Sequence, residues 1–398
     1  MAAPTSNVAT GRAAPTPATA RHALTRLTLG DFRSYRAARL DMDPRPLVLT
    51  GPNGAGKTNL LEAVSYLSPG RGLRGARLAD VAHVAGRDAA PAEAWSVAGT
   101  LSGDGSETAL GSGWRAPAEP GEAERRTVRI DGATASGPAA LAEHIGMVWL
   151  TPSMDRLFSG PPAERRRFLD RLVYAIDTGH AARVQRYDRA RRHRARLLRS
   201  GTSDDAWLGA LERSMAENAV AIGAARLDLA MRLEQFLPAN AAPFPRITLA
   251  ADGLVERWLG GAPALAVEEQ FREHFAVTRR AEAEGGTVDG PQRSDLIVTD
   301  RDRGMAAEQC STGEQKAMLI ALVTAHARLV ERQRRCAPVL LLDEIAAHLD
   351  ESRRRALFEI ILDVGAQAWL TGTEAGVFCP LGQHAQFFTV RPGTVEGA

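Results

Sequence analysis

The chain has 398 residues, 44% apolar and 24% charged, with a formal net charge of +2. That length predicts two domains or lobes rather than one core, in the composition of a soluble globular protein. No apolar run approaches the ~20 residues of a membrane helix, and Cys310, Cys336 and Cys379, odd in number and without metal-ligand spacing, read as reduced cytoplasmic thiols.

Residues 1–22 are rich in Ala, Pro and Thr and predict a disordered tail. They hold no apolar h-region for a secretory signal. An organelle transit peptide is the alternative, since Arg12, Arg21 and Arg26 precede the first acid, Asp31. Pro4, Pro15 and Pro17 would break its amphipathic helix. Residues 23–29 alternate apolar and polar, as a half-buried strand does, and 47–50 form a short apolar strand.

That strand enters Gly51-Pro52-Asn53-Gly54-Ala55-Gly56-Lys57-Thr58, which fits the phosphate-binding loop G-x-x-x-x-G-K-[ST] at every fixed position. Only two of the 49 basic residues are lysine. One of them stands where the loop needs a compact ammonium rather than a planar guanidinium. Two of the chain's scarce asparagines, Asn53 and Asn59, lie in and beside this loop. Residues 59–67 read as the following helix, which completes the strand, loop and helix order the motif requires.

Strands are predicted at 95–101, 127–131 and 147–151, with an exposed hairpin or loop over 103–126. From 163 to 237 the pattern is helical. Residues 163–199 hold twelve arginines against four acids. Arg183, Arg186, Arg189, Arg192 and Arg196 are candidates for DNA phosphate contacts, although from the charge run alone a solvated helix face is the favoured reading. Ser203 is placed to cap a second helix, along which Trp207, Leu208, Leu211, Met215 and Ile222 recur at helical spacing. The expectation is an antiparallel hairpin of two helices, far short of an extended coiled coil, ended by Pro238, Pro243 and Pro245. A strand at 246–250, a polar link at 281–294, a strand at 296–299 and a helix at 313–332 follow. The expected division is an α/β head with the phosphate-binding loop, built from 23–150 and 285–398, with a helical lobe at 151–284 inserted between.

The apolar strand 339–342 ends in Asp343-Glu344. With a phosphate-binding loop in the same chain, Asp343 is placed to hold Mg²⁺ beside the Thr58 hydroxyl. Glu344 is placed to orient and deprotonate an attacking water. Upstream, Ser311-Thr312-Gly313-Glu314-Gln315-Lys316 opens a helix. It fits either an anion-binding N-terminus or an ordinary capping box.

The order of these motifs resembles ATPase heads of the ABC/SMC class. The resemblance implies that Ser311, Gly313, Glu314 and Gln315 form a signature that acts on the opposite subunit's nucleotide, and that Asp350 of Ala347-His348-Leu349-Asp350 lies in a dimer-bridging D-loop. It narrows at Asp31-Phe32-Arg33-Ser34-Tyr35, Val128-Arg129-Ile130-Asp131-Gly132, Leu150-Thr151-Pro152, Arg165-Arg166-Arg167-Phe168-Leu169-Asp170 and Gly290-Pro291-Gln292-Arg293-Ser294-Asp295-Leu296. These are similar to the RecF family over about residues 23–398. The family implies ATP and Mg²⁺ as cofactors, slow ATP hydrolysis, an ATP-dependent homodimer, and double-stranded DNA near gaps as partner. It also implies RecO and RecR as partners in loading RecA, in a bacterial cytoplasm. Arg33 is either a phosphate contact or a surface arginine. Gln292 stands where the family usually has histidine, Thr373 or its neighbours stand where many ABC ATPases have a switch histidine, and Asp155 is the nearest polar residue to a Q-loop position. A transporter motor and a non-hydrolysing nucleotide-sensing scaffold are the competing classes.

Overall fold

The computed structural model describes residues 22–397, apart from 87–88, 104, 120–121, 123, 202–203, 238–242 and 347–348. All but the last residue of the expected tail over 1–22, the Ser203 cap, Pro238 and the Ala347-His348 pair lie outside the described residues.

The chain opens with β1 (Ala23–Phe32), β2 (Tyr35–Asp41), β3 (Leu47–Thr50) and α1 (Lys57–Ser65). It continues through β4 (Ala94–Gly103), β5 (Ser106–Arg115), β6 (Thr127–Ile130), β7 (Ala133–Thr134) and β8 (Met147–Leu150). The helical region holds α2 (Pro162–Tyr174), α3 (His180–Arg199) and α4 (Asp205–Leu233), then β9 (Ile247–Asp252), α5 (Leu254–Gly261) and α6 (Ala264–Ala283). The last part is β10 (Asp295–Asp300), β11 (Met305–Ala306), α7 (Thr312–Arg334), β12 (Val339–Leu342), α8 (Glu351–Val364), β13 (Ala368–Gly372), β14 (Gln386–Arg391) and β15 (Thr394–Gly397).

One six-stranded sheet has the order β15-β14-β3-β13-β12-β8. Its neighbours pair in parallel except for the antiparallel edge strand β15. The central strands are nearly continuous apolar runs, as strands covered on both faces must be. Their alternation divides the interior in two. Leu47, Leu49, Met147, Trp149, Val339, Leu341 and Trp369 enter a core shared with α1 and the second sheet. Val48, Val148, Leu150, Leu340, Leu342 and Leu370 enter a core shared with α2, α7 and α8. The second sheet, β2-β1-β4-β5-β6-β7, is antiparallel. A three-stranded sheet, β11-β10-β9, joins strands from either side of α5 and α6.

The helical lobe contains more than the expected hairpin. Tyr187 of α3, Met215 and Ala219 of α4, and Val267, Phe271 and Phe275 of α6 share a separate core. The 20-residue helix α6 buries only Val267, Phe271 and Phe275. That i, i+4, i+8 stripe is so narrow that the surrounding polar residues hid the helix from the sequence. Arg194, fully buried, ties the three helices together through Glu212 of α4 at 2.9 Å, the Phe275 carbonyl at 2.5 Å, and Glu282.

A candidate nucleotide site at the carboxyl edge of the parallel sheet

β3 and β12 lie either side of β13, so the phosphate-binding loop and the acid pair emerge at the same edge. The carboxyl ends of parallel strands are where such sheets hold ligands. The loop's shape requires its glycines. Gly51 has φ +155, and a Cβ there would stand 2.2 Å from the Val390 carbonyl oxygen. Gly56 has φ +111, and a Cβ there would stand 2.6 Å from the Tyr35 hydroxyl. The loop therefore lies flat against its surroundings, with Pro52, Asn53 and Gly54 exposed. Lys57 is 5% exposed, and its ammonium donates to the carbonyls of Gly51 (2.7 Å) and Pro52 (3.0 Å).

The segment Arg33-Ser34-Tyr35 braces this loop and its helix. The Arg33 guanidinium grips the fully buried Glu62 of α1 through Nε at 2.9 Å and Nη2 at 2.8 Å, while Nη1 donates to the Asp80 carbonyl at 2.6 Å. Each of its nitrogens is thus engaged within the head. This geometry fits a bracing residue rather than the phosphate contact considered from the sequence. Ser34 Oγ accepts from Asn59 Nδ2 at 2.9 Å, and Tyr35 is buried against Gly56. Burial pushes the Tyr35 phenol well above its ordinary range. Arg74, which the sequence gave no reason to single out, closes the group by donating to Asn59 (2.9 Å) and Glu62 (2.7 Å).

Across the edge, the Thr58 hydroxyl lies 3.0 Å from both carboxylate oxygens of Asp343. Burial raises Asp343 above the ordinary carboxylate value, while the hydroxyls of Thr371 and Thr58 pull it back. Glu344 follows in the left-handed region at φ 53, a conformation that costs a non-glycine residue roughly 1–2 kcal/mol. Its backbone N–H donates to Thr371 Oγ1 at 2.8 Å, and that hydroxyl donates to Asp343 Oδ1 at 2.8 Å. Thr371 was missed in the sequence, although a hydroxyl at the carboxyl end of an apolar strand is the available signal.

These groups suit a nucleotide triphosphate and its Mg²⁺. Gly51 and Gly56 leave no room for side chains, Lys57 would supply the cation, and Thr58 with Asp343 would supply hard oxygen ligands. Among the described residues there is no group of three or more His, Cys, Asp or Glu side chains that would form a metal site independent of a phosphate. A cleft of about 1410 Å³ begins at Thr58, Asp343 and Glu344 and runs past Trp149 and Arg171 to Arg191. Arg171 stacks on Trp149, its guanidinium carbon 3.9 Å from the ring centre.

The start of α7 forms a complete capping box. Glu314 Oε2 accepts from the Ser311 backbone N–H at 2.9 Å and its hydroxyl at 2.8 Å, and Ser311 Oγ accepts from the Glu314 N–H at 3.4 Å. These bonds, with Arg303, hold the Glu314 carboxyl down at about 2. Ser311, Thr312 and Gly313 are exposed, and a Cβ on Gly313 would meet open space. None of the three lines the cleft at Thr58. Gln315 departs from the expected signature surface. It is 5% exposed and turns inward to donate to the Cys310 carbonyl at 2.9 Å. Lys316, also buried, reaches Asp155 at 3.4 Å, and this pair accounts for both residues. Asp350 caps α8 by accepting from the Arg353 N–H at 2.9 Å.

The α3 arginines divide by face. Arg186, Arg189, Arg192 and Arg196 are exposed, and among the described residues none of them forms an ion pair. Arg183 departs from this stripe, being half-buried and paired with Asp177. The two remaining motifs meet underneath. Arg165 grips Asp295 through two bonds of 2.8 and 2.6 Å. Arg226 of α4 grips Asp170 at 2.9 and 3.0 Å and donates to the Pro291 carbonyl at 2.7 Å. Gln292 accepts from the Tyr187 hydroxyl and donates to the Val288 carbonyl at 2.8 Å.

A phosphate-binding loop and an acid pair on strands separated by one neighbour, with a capped helix opening at the surface and a helical lobe inserted between the halves, define the class: a P-loop ATPase head of the ABC/SMC type. The family model described as RecF/RecN/SMC N terminal domain matches residues 23–393. A DNA replication and repair protein RecF from Mesorhizobium japonicum is 48% identical over 375 residues, covering 94% of this chain and 97% of the relative. The RecF protein of Rhizobium meliloti is 46% identical, covering 94% and 98%. The chain belongs to the RecF family. Among solved structures, the recombination mediator protein RecF-ATP of the RecFOR pathway superposes with a TM-score of 0.78 at 20% identity, covering 96% of this chain and 99% of the other. An Smc head domain from Pyrococcus furiosus gives 0.52 at 16% identity, covering 95% and 96%. No described helix is long and apolar enough to cross a membrane.

Proposed function

We propose that this chain is an ATP-gated clamp on double-stranded DNA in recombinational repair and replication restart. ATP binding pairs two heads over duplex DNA near a gap. Slow hydrolysis in a cytoplasmic, nucleoid-associated setting separates them, in support of RecO and RecR as they load RecA. The observation that carries this reading is the separation of two functional surfaces. Thr58, next to Lys57 in the phosphate loop, lines one cleft with Asp343 and Glu344, while Ser311 and Gly313 are exposed and outside its walls. A second copy supplies what one copy leaves apart, as a two-fold arrangement requires. The RecF–ATP structure, whose fold this chain shares, supports ATP as the nucleotide.

In this reading Lys57 exchanges its two carbonyl partners for β- and γ-phosphate oxygens. Thr58 and Asp343 would hold Mg²⁺, which would supply positive charge to the phosphates. Glu344 orients a water against the γ-phosphorus and takes its proton as the new P–O bond forms and the bond to ADP breaks. Thr373 is exposed near the sheet edge, and with no histidine there turnover is slow. The exposed α3 arginines face DNA phosphates, a contact without base preference.

Glu344→Gln keeps the shape and removes the base. The expected result is a protein that binds ATP, forms a dimer on duplex DNA by sedimentation, and fails to release it, because release needs hydrolysis. Wild-type turnover in this variant overturns the assignment.

A further inference from the structure

We infer that Thr371 is the positioning residue of the hydrolytic site, its hydroxyl bridging Asp343 to the Glu344 backbone and so fixing the aim of the general base. The inference rests on the proposed roles of Asp343 and Glu344. Thr371 is 1% exposed and stands at the end of β13, the strand between those that carry the phosphate loop and the acid pair. Its Oγ1 donates to Asp343 Oδ1 at 2.8 Å and accepts the Glu344 N–H at 2.8 Å.

Each bond has a distinct consequence. A hydroxyl has one proton to give, and giving it to Asp343 leaves its lone pairs for the Glu344 amide. The donated bond anchors the hydroxyl on Asp343 Oδ1, an oxygen that also lies 3.0 Å from the Thr58 hydroxyl. The accepted bond lies at the one residue of the acid pair with a strained backbone, Glu344 at φ 53. Strain of this kind persists where surrounding bonds over-determine it. Without the hydroxyl, the Glu344 peptide is free to relax toward ordinary φ, and the carboxylate swings with it. A displacement of about 1 Å at a catalytic group costs on the order of a hundredfold in rate.

Two substitutions separate the hydroxyl from the methyl. Val replaces the hydroxyl by a methyl of similar volume on the same β-branched frame, and Ser keeps the hydroxyl and drops the methyl. ATP hydrolysis with duplex DNA, and ATP affinity by calorimetry, are to be measured for Thr371→Val, Thr371→Ser, Glu344→Gln and Thr371→Val/Glu344→Gln. Thr371→Val is expected to lower turnover by about tenfold or more while ATP affinity changes by less than about threefold, because the hydroxyl acts on the groups of the chemical step. Thr371→Ser is expected to hold turnover within about threefold of wild type. The double variant is expected to hydrolyse ATP no more slowly than Glu344→Gln alone, since a base that is absent cannot be mis-aimed.

Three results overturn the inference. Thr371→Val could keep wild-type turnover. Its loss could be shared by Thr371→Ser, which makes the effect one of packing. Its loss could multiply with that of Glu344→Gln, which makes it independent of the base. Wild-type turnover in Glu344→Gln alone is a different failure: it removes the base assignment on which the inference rests, whatever Thr371→Val and Thr371→Ser show.

Discussion

The Thr58 hydroxyl lies 3.0 Å from both oxygens of Asp343, a residue 285 positions further along the chain. The contact closes the site across β13, and under the proposed function Thr58 acts on metal affinity rather than on nucleotide affinity as such. A hydrogen bond to a charged partner contributes about 1.5–3 kcal/mol, equivalent to a factor of ten or more. Thr58→Val is therefore expected to weaken ATP binding at least about tenfold when Mg²⁺ is present. In excess chelator the loss should fall below about threefold, because Lys57 and the glycine loop remain. Calorimetry in the two buffers measures the difference, and an equal loss in both would assign Thr58 to the loop's shape instead.

Much of this site was legible because its chemistry is written in contiguous residues. The loop from Gly51 to Thr58, the acid pair Asp343-Glu344 and the strands β3, β8 and β12 have local signatures that need no tertiary knowledge. What escaped was what depends on which strands become neighbours. Thr371 is an ordinary hydroxyl until β13 is seen between β3 and β12. Arg33 and Arg74 are ordinary arginines until Glu62, buried beneath them, explains their positions. The α3 run misled in the opposite direction. Its arginines look alike in sequence, yet Arg194 is wholly buried and Arg183 is paired, while Arg186, Arg189, Arg192 and Arg196 are exposed. The i, i+3, i+7 burial of Tyr187, Ala190 and Arg194 sorts them, and that phase was hidden because one of the inward positions is itself an arginine.

If the exposed α3 stripe touches DNA, replacing Arg186, Arg189 and Arg192 with alanine should flatten the dependence of log affinity on log salt concentration. Each lost phosphate contact lowers the slope by roughly 0.9. Affinity should fall alike on unrelated duplex sequences. Arg183→Ala is the internal comparison, since its partner is Asp177, and it should leave the slope unchanged. An unchanged slope in the triple variant returns the stripe to a solvated face.

His326 gives the fold a pH limit. It is wholly buried on α7, and its Nε2 donates to the Leu172 carbonyl of α2 at 2.8 Å. Burial is the main cause of a pKa pushed down to about 4, against an unfolded value of about 6.5. The folded value is depressed, so its contribution to stability is complete above about pH 6.5. It is lost as pH falls toward 4, where the unfolded chain takes a proton that the fold refuses. One such proton corresponds to about 1.4 kcal/mol per pH unit. His326→Gln keeps an N–H for Leu172 and removes the titration. Urea unfolding at pH 7, 6 and 5 should show the wild type losing up to about 1.4 kcal/mol per unit more than the variant below pH 6.5. Parallel losses would mean that His326 charges within the fold.

The exposed Ser311 and Gly313 make a prediction about symmetry. If they complete a partner's site, each site takes Lys57 from one copy and Ser311 from the other, and a two-fold dimer holds two such sites. Lys57→Ala and Ser311→Arg should each abolish ATP-dependent pairing and turnover, because in either homodimer every site has one damaged half. Ser311 also caps α7, and loss of a cap costs about 1 kcal/mol, so circular dichroism must first show that Ser311→Arg is folded. When the two variants are mixed, one site of each mixed dimer collects both lesions and the other collects none. With equal random exchange half the dimers are mixed, each with one intact site of two, so about a quarter of wild-type turnover should return. Strict coupling between the sites would lower that figure without preventing ATP-dependent pairing, so sedimentation is measured beside hydrolysis. A mixture of folded, exchanging subunits that neither pairs nor hydrolyses ATP would leave Ser311 with the role its bonds to Glu314 already describe, the cap of a helix.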